Sequence, residues 1–168
     1  WRCLQGRCAL EAHSCTEGRE PGPLDRAAGA LEVHGMLTCM EALWKKLNLK
    51  DQDPVLVLDA PASFGEALDW LRASGCRVDA VPGVGERYGF VLAFCPMGDD
   101  FARVAGELAA WAAEGAVVWA AYPKQTSKRY KSDVNRDILW ERGRACGLDA
   151  VRQVAIDDDW SALRFKSI

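Results

Sequence analysis

Three short apolar runs set the limits on this fold: VLVL from Val55 to Leu58, FVLAFC from Phe90 to Cys95 and AVVWAAY from Ala116 to Tyr122. Each is short for a buried helix and lacks polar alternation, the pattern of a strand covered on both faces. Pro61 closes the first run, and Pro96 and Gly98 bound the second. Helical stripes lie between the runs. Phe64, Leu68 and Leu71 share one face of Phe64 to Ala73. Phe101, Val104, Leu108 and Trp111 do the same from Phe101 to Ala113, with Asp99 or Asp100 as the expected cap and Gly115 as the stop. Strands that alternate with helices build βαβ units and a mostly parallel sheet.

The rest of the chain extends this pattern. Arg77 to Val81 reads as a further short strand. Ser132 is the expected cap of a helix that reaches Cys146, with Gly147 at its end. Ala150 to Ile156 and Ser161 to Phe165 form a hairpin around Asp157, Asp158 and Asp159, which adds one antiparallel strand. In that last strand Ser161, Leu163 and Phe165 share one face, as expected if a single face is buried. The predicted fold is α/β, a Rossmann-like three-layer sandwich with a mostly parallel sheet and a C-terminal antiparallel hairpin. It resembles a class I methyltransferase core, and a fold does not fix a function.

Residues 1–39 differ from the rest. Up to Met40 there is no Lys, Asn, Ile, Phe or Tyr, and Val33 is the one valine. The segment reads as a disordered or non-native extension, with Met36 and Met40 as candidate natural starts. Residues 40–168 read as one domain. Met40, Leu43, Trp44 and Leu47 recur at helical spacing and mark its first helix. Cys3, Cys8, His13 and Cys15 are spaced too loosely for a zinc site. Seven cysteines, an odd number, argue against a disulfide framework and for the cytoplasm. The net charge of −3 argues against nucleic acid, and no apolar run reaches the ~20 residues of a membrane span.

Catalytic signals are sparse. After His34 the chain has no histidine, so no Ser-His or Cys-His pair can form in the domain. The turn after the first strand is Asp59-Ala60-Pro61-Ala62-Ser63-Phe64-Gly65, without the glycine fingerprint of a nucleotide site. Gly83, Gly85 and Gly89 precede a strand, where that fingerprint must follow one. The triple Asp reads as a turn, since hard-cation loops space their ligands by two. No metal and no cofactor are expected. The basic run is more informative. Lys124, Lys128, Arg129 and Lys131 put four cations in eight residues, after a strand end and before a helix. Open α/β sheets bind ligands at that edge.

The segments VLVLDAP, YPK, SDVNRDILW and VRQVAIDDDWSALRF together resemble a bacterial family catalogued as domain of unknown function 3052. The resemblance covers roughly Leu47 to Lys166. It implies a single Rossmann-like domain without an assigned activity, and it transfers no catalytic residues.

The resulting expectation is a non-catalytic module, not an enzyme. It would bind an anionic small molecule or an acidic protein partner through Asp59, Pro61, Ser63, Tyr122, Lys124, Lys128 and Arg136. Arg136 would reach Asp133, Asp137 or Asp59. The alternative is a divergent S-adenosylmethionine-dependent transferase of the methyltransferase type. A third reading is a dimer anchored by exposed Trp44, Trp70 or Trp160.

Overall fold

The first apolar run becomes strand β1 (Val55–Leu58), and all four of its side chains are buried. Residues 39–167 are described in this computed structural model. Helix α1 is described over residues 39–46. A single 3-10 turn (Ala62–Phe64) leads from β1 into α2 (Gly65–Ala73). Strand β2 is short (Val78–Asp79) and β3 is long (Tyr88–Phe94). Then come α3 (Gly98–Trp111), β4 (Ala112–Pro123), α4 (Arg136–Ala145), β5 (Leu148–Ala155) and β6 (Trp160–Ser167). The zinc reading and the start at Met36 fall outside the described residues.

The six strands form one sheet in the order β2-β1-β3-β4-β6-β5. β1 pairs parallel with β2 and β3, and β3 pairs parallel with β4. β6 runs antiparallel to both β4 and β5. The alternation of side chains along each strand sorts the core into two layers. Leu56, Leu58, Val91, Ala93, Val118, Ala120, Leu163 and Phe165 face Phe101, Val104, Leu108 and Leu139 of α3 and α4. Val55, Val57, Phe90, Leu92, Phe94, Val117, Trp119 and Ala121 face Trp44, Leu47, Phe64 and Leu71. Trp119 donates its indole N–H to the Leu47 carbonyl at 2.7 Å, which fixes the chain after α1 on the sheet.

Several details depart from the sequence reading. Helix α3 begins at Gly98 after Met97, which puts Asp99 and Asp100 inside its first turn and not at its cap. Strand β6 is buried on both faces, because Trp160 and Ala162 enter one layer while Leu163 and Phe165 enter the other. Helix α3 ends at Trp111 and not at Ala113, and the chain passes straight into β4. The helix-forming Ala-Ala-Glu is drawn into strand by the pairing of Ala112 with Tyr88. Gly115, with φ of 72°, serves the register shift in that pairing and not a helix stop. The cap of α4 is Asn135, whose Oδ1 accepts from Ile138 N at 2.9 Å, and not Ser132. Trp44 and Trp160 are each 2% exposed and Trp70 is partly buried, so they are core residues and not dimer anchors. Among the described residues no helix is long and apolar enough to cross a membrane.

Candidate functional site

The strand order places one crevice at the centre of the sheet. From β1 the chain moves outward to β2, then returns past β1 to β3 on its other side. Connections leave the carboxyl ends of β1 and β3 in opposite directions, and such a switch point is where open α/β sheets hold ligands. Asp59 and Ala60 follow β1 here, and Cys95, Pro96 and Met97 follow β3.

Asp59 carries the sharp bend out of β1. Its φ is 53°, the left-handed region in which glycine is the usual residue. Asp is among the few side chains tolerated there. The glycine missing from the sequence fingerprint therefore has a conformational substitute. Its carboxylate meets Arg103 of α3, with Arg103 Nη2 2.7 Å from Asp59 Oδ2. The pair stays open to water, at 60% exposure for Asp59 and 48% for Arg103. Pro61 precedes the 3-10 turn, and no side chain caps it. The first amides of a helical turn have no partner within it, which leaves those of Ala62 and Ser63 without one in this turn.

The end of β2 is already engaged. Asp79 accepts from Arg77 Nε at 3.1 Å, from Arg77 Nη2 at 2.7 Å and from the Tyr88 hydroxyl at 2.7 Å. The Arg77 guanidinium, followed by the Tyr88 hydroxyl, holds the Asp79 carboxyl below the usual carboxylate range. Burial, reinforced by Asp79, pushes the Tyr88 phenol up. A carboxylate has about four acceptor positions, so one remains on Asp79.

Residues 124–135 form a tied rim along the same edge. Lys124 N and Lys124 Nζ donate to the carbonyls of Asp159 and Asp157, each at 2.7 Å. Ser127 Oγ donates to Asp159 Oδ1 at 2.8 Å. Ser132 Oγ donates to the Pro96 carbonyl at 2.7 Å, and Gly98 N donates to Asp133 Oδ1 at 2.8 Å. The Tyr130 ring lies on Trp160 with centroids 4.9 Å apart, and its hydroxyl is 3.5 Å from Ser63 Oγ. Asp157 Oδ1 accepts from Asp159 N and Trp160 N, so the triple Asp is a built turn that holds the basic segment.

The expected site residues split into two groups. Asp59, Pro61 and Ser63 sit at the switch point, while Tyr122, Lys124 and Arg136 line a second hollow beyond the rim. Lys128 is exposed and makes no ion pair among the described residues. Arg136 does not reach Asp59. It pairs with its neighbour Asp137 at 3.0 Å, and Arg103 takes the place expected for it. The Tyr122 hydroxyl accepts from Gln153 Nε2 at 2.8 Å, and burial pushes its pKa up. Sequence reasoning missed Arg103, which looks like any exposed helix residue. It also missed Tyr130, which joins the two groups.

No family model matches the chain, and no curated protein matches it. Solved structures do. The chain is similar to a SAM dependent methyltransferase from Aquifex aeolicus, at 12% identity and a TM-score of 0.55, over 77% of this chain and 89% of that one. It is similar to the glycopeptide N-methyltransferase MtfA, at 10% identity and a TM-score of 0.51, over 79% and 90% of the two chains. A fibrillarin from Aeropyrum pernix, solved with natively bound S-adenosyl-L-methionine, has 13% identity and a TM-score of 0.51, over 77% and 76%. These likenesses establish the α/β fold with its antiparallel hairpin. They also correct the sequence reading. Two of these structures are named methyltransferases and the third holds S-adenosyl-L-methionine, which counts against the expected non-catalytic module of unknown function.

Proposed function

We propose that this chain is a divergent S-adenosylmethionine-dependent methyltransferase whose donor sits at the crevice between the carboxyl ends of β1 and β3. The observation that carries the proposal is the open Asp59–Arg103 pair at 2.7 Å. The amino-acid end of S-adenosylmethionine bears an ammonium and a carboxylate one carbon apart. An exposed anion and cation side by side offer the complement of that zwitterion. Asp59 would take the ammonium, and Arg103 the carboxylate. The unpartnered amides of Ala62 and Ser63, with Ser63 Oγ, supply further donors for the carboxylate. An exposed ion pair contributes about 0–1 kcal/mol, so opening it to the ligand gives up little.

The donor set fits the other end in part. Asp79 retains about one acceptor position for a ribose hydroxyl, and Tyr88 and Arg77 keep its carboxylate ionised. When bound, S-adenosylmethionine supplies a methyl group on a sulfonium, an electrophile that needs little acid help from the protein. That suits a site with no histidine among the described residues. Tyr122, whose phenol ionises reluctantly, serves as a hydrogen-bonding group and not a base. The proposal places the chain in the cytoplasm, where a reducing medium keeps Cys39, Cys76, Cys95 and Cys146 as thiols.

Calorimetric titration with S-adenosylhomocysteine tests the proposal. The expected result is micromolar affinity that falls about tenfold or more, roughly 1.4 kcal/mol, in D59A and in R103A. No binding to the parent chain, or unchanged affinity in both variants, would overturn it.

A further inference from the structure

Two hollows flank the rim formed by residues 124–135. One has a volume of about 490 Å³ and is walled by Lys124, Lys131, Asp133 and Asn135 among others. The second, of about 420 Å³, is walled by Tyr122, Lys124, Arg136 and Asp137 among others. They share Lys124, Gln125 and Asn135, so they are two lobes of one groove.

The charges along this groove are unequally compensated. Arg136 is neutralised by Asp137 at 3.0 Å, and Arg129 leans toward Asp159 at 3.9 Å. Asp133 is already engaged by the amide of Gly98. Lys124 uses one of its three N–H groups on a neutral carbonyl and meets no carboxylate among the described residues. Lys131 makes no ion pair among the described residues. Each lobe thus holds two cations against one carboxylate that already has a partner. The remaining polar wall is amide and hydroxyl, from Gln125, Thr126, Ser127, Ser132 and Asn135.

We infer that this groove binds a small oxyanion, a carboxylate or a phosphate, between Lys124 and Lys131. Lysine ammoniums are compact charges suited to such ligands. The rim is held at four places, by Asp157, Asp159, Pro96 and Gly98, so the backbone that carries both lysines is anchored. The inference stands on the groove and does not rest on methyl transfer. If both hold, the oxyanion is the handle by which the methyl acceptor is placed beside the donor, since Tyr130 joins the rim to Ser63.

Thermal unfolding of the full chain with inorganic phosphate, and separately with citrate, tests this at constant ionic strength balanced with sodium chloride. At a saturating level the parent chain should gain about 5 °C. K128A, which removes a loop lysine outside both lobes, should gain as much. K124A/K131A should lose the gain, and K124R/K131R should recover most of it. A rise with phosphate alone assigns a phosphate ligand, and a rise with citrate alone a carboxylate. No rise with either, or an equal rise in K124A/K131A, overturns the inference. Neither result bears on S-adenosylhomocysteine binding, so the two proposals can fail separately.

Discussion

Arg103 Nη2 stands 2.7 Å from Asp59 Oδ2, joining the second turn of α3 to the residue that bends the chain out of β1. Both side chains are about half exposed, so the pair adds little to stability. D59N, which keeps a residue tolerated in the left-handed region, and R103A should each change the unfolding free energy by less than about 1 kcal/mol. Each should still weaken S-adenosylhomocysteine about tenfold or more. Urea titration beside calorimetry checks this. A loss of binding that tracks a loss of stability would mean the pair is merely structural.

Asn135 is the cap of α4 through its bond to Ile138 N. Its loss leaves one amide of the first turn without a partner. N135A should destabilise the chain by about 1 kcal/mol, while N135D should be nearly neutral. Chemical denaturation decides, and an N135A variant as stable as the parent would assign the cap elsewhere.

Gly143 lets Phe165 press against α4. A methyl group there would lie 2.5 Å from Phe165 Cε1. Phe165 is 1% exposed and packs on Phe101 with centroids 5.2 Å apart, so it has little room to retreat. G143A should destabilise by about 1–3 kcal/mol. Trimming the ring should return part of that, so G143A/F165L should be less destabilised than the sum of its parts. Additive effects would show that the clash is relieved by other means.

Burial pushes the Cys95 thiol from 9.0 up to about 12, and burial with the nearby Asp53 pushes Cys76 up to about 11. In the unfolded chain both lose their protons near 9.0. The folded state therefore binds more protons through that window, and its stability declines as the pH rises. The contribution is intact below about pH 9 and falls progressively toward the folded-state values. Urea midpoints taken between about pH 8 and pH 11 should fall, and C95A should flatten part of the slope. A flat parent profile over that range would contradict the assignment.

The sheet was legible in the sequence where burial alone determines structure. Val55 to Leu58 can only be a covered strand, and the residues around the triple Asp can only turn back. The errors arose where two local signals compete. Ser132 and Asn135 are both good caps, and the choice falls to Asn135 because Ser132 is drawn to the Pro96 carbonyl. Ala112 to Glu114 favours helix by propensity, yet pairing with β3 makes it strand. The candidate site was legible only in outline. The strand-end rule pointed to Asp59, Pro61 and Ser63, which lie where the chain leaves β1. Nothing local to Arg103 or Arg136 reveals which of them crosses to Asp59, because that depends on how α3 and α4 are set against the sheet. The lysine run was visible as charge. Only the positions of Asp159 and Asp137 separate Arg129 and Arg136, which have carboxylate partners, from Lys124, Lys128 and Lys131, which have none among the described residues.

Strand β6 lies between β4 and β5 in the sheet but follows both in the chain. During synthesis, β1 to β4 can assemble as they emerge, while β5 has no neighbour to pair with until β6 arrives. The rim inherits this delay, because Lys124 and Ser127 are anchored to the turn that precedes β6. A nascent chain stalled near Ala155 would carry the switch-point crevice with a basic wall held only at Pro96 and Gly98. The two halves of the proposed site would mature at different moments in the life of the molecule, the donor side first.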